Sequence, residues 1–238
     1  MSAATILLAI VAMGAGSCVQ GAVGFGSNLL AAPFLVLLDE RFVPGPVTVA
    51  SVTLNVLLIT TRSDVTVDHR IAWAVGGLLP GTLAGGVVLA LLPNEQLSIA
   101  FAVLVFVAVV LSVSGLSVTA KPRSLAGAGA ASGLMGTISG IGGPPIALLY
   151  QHEPAATLRG TLPRFFLIGS ILAIPTIAVA GHLGRNEIVP SIVLTLAAVA
   201  GALVSGPVAR HIDRRSARPV VLVLSLIAAT AVIAREVL

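Results

Sequence analysis

The chain reads as an all-α polytopic membrane protein with two inverted repeats, each a re-entrant or broken helical hairpin plus three transmembrane helices. Three observations predict this fold class. The first is composition. Of 238 residues, 57% are hydrophobic and 9% charged, and the mean hydropathy is +1.08. A soluble domain carries about 25% charge, so a soluble enzyme, a nucleic-acid binder and a disordered chain are excluded. The second is the position of the 13 basic and 9 acidic residues. They leave uncharged stretches at 1–38, 42–61, 71–94, 96–120, 124–152, 165–184, 188–209 and 219–234. Roughly 20 apolar residues cross a bilayer as a helix. The strands of a membrane barrel would alternate over about 10 residues, whereas these runs are apolar all round.

The third observation is internal repetition. Gly81-Thr-Leu-Ala-Gly-Gly86 aligns with Gly201-Ala-Leu-Val-Ser-Gly206 at an offset of 120, and Gly24-Phe25-Gly26 with Gly140-Ile141-Gly142 at an offset of 116. The repeats are expected at 1–120 and 121–238, joined through Lys121-Pro122-Arg123. Loop 93–96 carries one Glu and no Lys or Arg, while its counterpart 210–218 carries Arg210, Arg214, Arg215 and Arg218. Basic loops face the cytoplasm, so the two loops are expected on opposite sides, which makes the repeats inverted.

Each element follows from that orientation. Residues 3–39 should begin and end outside and turn near Gly21–Gly26. Spans are expected at 43–61, 70–92 and 96–116. Residues 124–152 should begin and end inside; these 29 residues fall short of the roughly 40 that two full spans need. They are expected to turn back near Gly140–Pro145. Spans at 163–181, 188–209 and 219–236 complete the second half. The alternative is eight plain transmembrane helices in a parallel repeat. The run 3–13 lacks a preceding Lys or Arg, so it is expected to be part of the mature fold and not a cleaved signal. No appended soluble domain is expected. Cys18, the single cysteine, forms neither an internal disulfide nor a thiolate metal site.

Two clusters carry the candidate chemistry. The first is Gly21, Gly24, Phe25, Gly26, Ser27 and Asn28, followed by Pro33; the second is Gly133, Gly136, Thr137, Ser139, Gly140, Gly142, Gly143, Pro144 and Pro145. Glycine permits unwound backbone and proline interrupts helical hydrogen bonds. Groups freed in lipid must face protein, water or a ligand. Broken helices are where transporters bind substrate, with helix N-termini offering N–H donors to anions. The competing reading is that these glycines serve tight helix packing. The small-xxx-small pairs Gly77/Gly81, Gly81/Gly85 and Gly201/Ser205 read as packing alone. Arg159 and Arg164 are candidates for a bidentate anion clamp, Arg164 the stronger because Pro163 would set it at a helix start. Snorkelling to headgroups is the alternative for both. Among polar residues inside runs (Gln20, Ser27, Asn28, Thr53, Asn55, Tyr150), Asn28 and Asn55 are the most costly to bury unpaired, so they either tie helices together or line the pathway.

All nine acids lie in loops or at run boundaries, which argues against a cation site at mid-depth. His152 and His182 stand at helix ends. The G-x-G pattern is no nucleotide loop, since no strand precedes it and no Lys-Ser/Thr follows. G-x-S-x-G, H-E-x-x-H and cysteine-histidine metal spacings are absent from the sequence. No enzyme, cofactor or metal is therefore expected.

At its two glycine clusters the sequence resembles the TauE/SafE family of membrane permeases, the sulfite-exporter family. Gly21–Gly26 with Ala32-Pro33, Gly136–Pro145, and Leu158–Phe166 with Arg159 and Arg164 carry the resemblance, which covers essentially the whole chain. It departs from the commoner three-glycine first motif in having Ser27-Asn28 after Gly26. The resemblance implies transport of small sulfur-containing or organic anions such as sulfite, sulfoacetate or another sulfonate. The functional expectation is a secondary transporter, an exporter working by alternating access in the bacterial inner membrane. Gly24, Phe25, Gly26, Ser27, Asn28, Asn55, Gly140, Gly142, Gly143, Pro144, Pro145, Arg159 and Arg164 are its expected substrate contacts. An anion channel or an uptake permease is the alternative; a membrane enzyme or a passive assembly subunit is a third reading. Expected partners are a small anion and the lipid bilayer, with a homodimer as the candidate assembly and no nucleic acid.

Overall fold

A computed structural model of the protein describes residues 1–63, 65–114, 118–211 and Thr230. The described residues are helical, without strands. Helix α1 (Ala3–Val23) starts where Ser2 Oγ accepts from the Thr5 N–H at 3.1 Å and stops at Gly24, whose φ is 107°. Gly26 also has φ 107°. These two left-handed residues, a conformation glycine adopts without steric cost, turn the chain back into α2 (Ser27–Leu38). The turn is tight: a Cβ on Gly16 would lie 2.5 Å from Ser27 O. Ala31 and Leu35 then pack with Met13 and Ala9 as α2 runs back along α1.

The second hairpin repeats this design. Helix α6 (Pro122–Ser139) ends at Gly140, φ 72°, and α7 (Gly143–Tyr150) follows. Both breaks fall inside the segments expected to hold them. Pro144 and Pro145, however, belong to the first turn of α7 and not to the break, because proline's missing N–H is harmless there. The 12 residues of α2 and 8 of α7 reach about 18 and 12 Å at 1.5 Å per residue. Neither by itself crosses a hydrocarbon core of roughly 30 Å.

The longer helices are α3 (Gly45–Thr61), α4 (Ile71–Leu91), α5 (Asn94–Val113), α8 (Ala155–Val179) and α9 (Ile188–His211). By length and composition α1, α3, α4, α8 and α9 are able to cross a membrane. Leu7, Val11, Leu83, Val87, Leu196 and Leu203 are each more than half exposed on these helices, a lipid-facing surface. Residues 212–218 of the Arg-rich loop and, apart from Thr230, the span expected over 219–236 lie outside the described residues.

One boundary departs clearly from expectation. Helix α8 was expected to begin at Pro163 but begins at Ala155 and runs through Pro163. Leu158, Leu162 and Phe165 share one face and are at most 2% exposed, packed with Ile71, Leu125 and Tyr150. Burial of three such side chains contributes about 1.5–3 kcal/mol each, which outweighs the roughly 3 kcal/mol of an interior proline. Arg159 and Arg164 therefore sit within a helix, not at its start.

Helices distant in the chain pack in pairs. Helix α4 lies along α6, and α1 along α9; α3 lies on α9, and α8 on α4. The glycine faces make this approach possible, as expected of small-xxx-small pairs. A Cβ on Gly81 would lie 2.0 Å from Ala130 O, and one on Gly201 2.1 Å from Gly14 O. Gly85 meets Thr137 Cβ at 2.8 Å, and Gly21 meets Ser205 Cβ at 2.4 Å, by the same measure. Across the interfaces Gly81 corresponds to Gly201 and Gly85 to Ser205 at 120 positions, Gly14 to Ala130 and Gly21 to Thr137 at 116.

Candidate functional site

The two hairpin breaks meet at a cavity of about 70 Å³, enclosed by α1, α2 and α3 on one side and α6, α7 and α8 on the other. A cavity of that size holds a handful of waters or one small polyatomic ion.

Helix α3 supplies one wall. Thr48, Ser51 and Asn55, all at most 6% exposed, fall on one face of α3 and line the cavity. Buried polar groups need partners, and a chain of hydrogen bonds provides them. Gln20 Nε2 donates to Asn55 Oδ1 at 2.9 Å, and the Ser27 N–H donates to Gln20 Oε1 at 3.3 Å. Asn55 Nδ2 donates to Ser51 O at 2.7 Å. Asn28 Nδ2 donates both to Ser51 Oγ at 2.9 Å and to Gly140 O at 2.8 Å. An amide nitrogen carries two hydrogens, so Asn28 has committed both, while Gln20 and Asn55 each keep one. The facing wall brings Ser132, whose buried Oγ has no partner, and the start of α7 at Gly143. Phe25, Phe165 and Phe166 complete the lining, the last two edge to face with centroids 5.6 Å apart.

Among the expected contacts Phe25, Gly26, Asn28, Asn55, Gly140, Gly142, Gly143 and Pro144 line this cavity. Gly24, Ser27, Pro145, Arg159 and Arg164 do not. Gly24 packs against the Leu158–Arg159 backbone. Ser27 is buried, its N–H held by Gln20 and its Oγ 3.4 Å from Ser17 Oγ. Pro145 lies in the core. Arg164 Nη1 turns back along its own helix to donate to Gly160 O. Neither arginine lines the cavity, and among the described residues its lining carries no charged side chain.

Sequence reasoning left out Thr48, Ser51, Ser132, Thr137 and Ser170 from the expected contacts, and named Gln20 only as a polar residue in a run. The usable signal was the 48/51/55 spacing, one helical face. Nothing comparable marked Ser132 or Ser170.

A second polar cluster ties the far end of α7 to its surroundings. Tyr150, fully buried, donates its hydroxyl to Asp68 Oδ2 at 3.0 Å. Arg70 Nε contacts both Asp68 oxygens, at 3.1 and 2.9 Å, and its Nη2 reaches Glu153 Oε1 at 2.9 Å. The Asp68 N–H donates to Thr161 Oγ1 at 3.0 Å. Burial works against the Asp68 carboxylate, but hydrogen bonds from Arg70 and Tyr150 and the Arg70 charge outweigh it and hold its pKa below the usual aspartate range.

This combination, membrane-length helices with two broken hairpins converging on a small polar cavity, defines a multi-pass α-helical membrane protein of the transporter type. The chain belongs to the sulfite exporter TauE/SafE family, whose model matches residues 8–232. No curated protein and no solved structure gives a significant match.

Proposed function

We propose that this chain is a secondary transporter that exports a small anion, such as sulfite, sulfoacetate or another organosulfonate, across the bacterial inner membrane by alternating access. The central observation is the cavity itself. It lies between the two hairpin breaks, and free N–H groups of Gln20 and Asn55, the Ser132 hydroxyl and the start of α7 supply neutral donors. Oxygens of an anion accept from such donors. A neutral lining binds an anion without trapping it, which suits a carrier that must release its substrate. Family membership supports the same substrate class.

The reciprocal contacts of α1 with α9 and α6 with α4 support two repeats that rock against each other. A second cavity of about 230 Å³, bordered by Glu40, Arg41, His182 and Glu187, reaches Ile138. Thr137, the next residue, lines the central cavity. The end of α6 thus separates the two spaces, and a small shift there would join them into an exit.

The test is flux of labelled sulfite and of sulfoacetate in proteoliposomes. Wild type is expected to show saturable flux and counterflow, with flux falling at least tenfold in Asn55→Ala. Single-channel currents without counterflow would favour a channel, and unchanged flux in Asn55→Ala would remove the cavity from the pathway.

A further inference from the structure

Two arginines flank the end of α1 behind the first hairpin break, where the segment after α3 joins the start of α8 through the Thr66 N–H donating to Ala156 O at 3.3 Å, and neither arginine lines the central cavity. Arg62 stands just past α3, and its Nη2 donates to Gly21 O at 2.7 Å and Ser205 Oγ at 3.1 Å, both neutral acceptors. Arg159 stands early in α8, with its backbone N 3.4 Å from the position of a Cβ on Gly24. Its Nε is buried and has no hydrogen-bond partner among the described residues. Among the described residues the ion pairs are Arg41–Asp39, Arg70–Asp68 and Arg70–Glu153, so no carboxylate there is paired with Arg62 or Arg159. Burial first, and then the Arg159 charge, lower the pKa of Arg62. Buried donors are nearly always paired, and like charges brought together raise the energy of a site until an opposite charge arrives.

We propose that Arg62 and Arg159 form a second, charged anion site, a staging post where the transported oxyanion docks before passing the first hairpin break into the neutral cavity. This rests on the transport reading above. Guanidinium groups fit the paired oxygens of a sulfur oxyanion, and a charged vestibule raises the local concentration of substrate. Gly24, beside the Arg159 backbone, is followed by Phe25, which lines the cavity. The phosphate of an anionic lipid offers the same chemistry. The burial of Arg159 Nε inside the protein favours the soluble ion.

The experiment is equilibrium binding of labelled sulfite to the purified full chain in nanodiscs, with flux measured in parallel. In phosphatidylcholine discs wild type is expected to bind two sulfites per chain, and Arg159→Gln and Arg62→Gln one each. In flux, Arg159→Gln should raise KM about tenfold with kcat within about twofold. Arg159→Gln carries the test, because its Nε has no bond to lose in folding, whereas Arg62→Gln also gives up Gly21 and Ser205. One sulfite per wild-type chain, two per Arg159→Gln chain, or displacement of the second sulfite by phosphatidylglycerol would each overturn the staging site and leave the central cavity standing. Binding of no sulfite by any form would remove the transport reading and the staging site with it.

Discussion

Asn28 Nδ2 donates to the carbonyl oxygen of Gly140 at 2.8 Å, a hydrogen bond spanning 112 residues that joins the two hairpin breaks directly. The second hydrogen of the same amide goes to Ser51 Oγ, so one side chain links α2, α3 and the end of α6. Replacing Asn28 by Ala strands the Gly140 carbonyl next to the cavity. The expected cost is about 1–3 kcal/mol of stability, read as a lower unfolding midpoint, together with at least tenfold lower sulfite flux in proteoliposomes. Wild-type flux in Asn28→Ala would mean that the link between breaks is dispensable.

The breaks themselves depend on glycine. Gly140 has φ 72°, and a Cβ there would sit 2.6 Å from Val47 Cγ1. Gly140→Ala should therefore destabilise by more than the roughly 1–2 kcal/mol of the left-handed conformation alone. Gly127, helical with nothing within 4 Å of its Cβ, is the control, where Ala is expected to be neutral or to stabilise by up to about 1 kcal/mol. Denaturant or thermal unfolding of the three proteins decides the ranking.

Corresponding contacts across the two helix interfaces should respond alike. Gly81→Leu would drive its side chain into Ala130 and Gly201→Leu into Gly14. Both should prevent folded, monodisperse protein from accumulating, since backbone cannot move aside as a side chain does. Gly76→Leu, with open space around the Cβ, should accumulate normally. A normal yield of either interface variant, judged by size-exclusion chromatography, would show that the close approach is not needed.

Asp68 gives a pH dependence with a definite sign. Its pKa in the folded protein lies below the unfolded value, so its contribution is fully present above the unfolded value, about 3.9. It is lost only as pH falls through the lower folded value. The unfolding midpoint should then fall on the acid side, below about pH 4, with Asp68→Ala flattening that limb. The same variant leaves the buried Tyr150 hydroxyl without its acceptor, at an expected cost of about 1–3 kcal/mol at pH 7. An unaltered acid limb in Asp68→Ala would assign it to other groups.

Orientation is testable by labelling. With Cys18 replaced, single cysteines at Ser2, Asn94 and Arg185 are expected to react from outside, and those at His69 and Lys121 from inside. Reaction of Asn94 and Lys121 from one side would reverse the inverted-repeat proposal.

Much of the fold was legible because a bilayer punishes unpaired backbone and charge so heavily. Charge-free runs located most of the spans, and Gly24–Gly26 and Gly140–Gly142 marked the breaks because little else tolerates positive φ. The start of α8 was misread for a definable reason. Pro163 is a strong local signal, and the buried Leu158–Leu162–Phe165 face that overrides it is a tertiary fact. The expectation that Arg164 stands at a helix start rested on that local signal.

By itself the sequence determined that this is a helical membrane protein of the TauE/SafE family with two broken hairpins, because hydropathy and glycine placement are local properties. Only the tertiary structure decided which residues share the cavity. Asn28, Ser51, Asn55 and Gln20 come together through hydrogen bonds between distant helices, and the segment after α3 joins the start of α8 through the Thr66–Ala156 backbone hydrogen bond. Those partnerships depend on side-chain direction and helix crossing, which spacing along one chain does not encode.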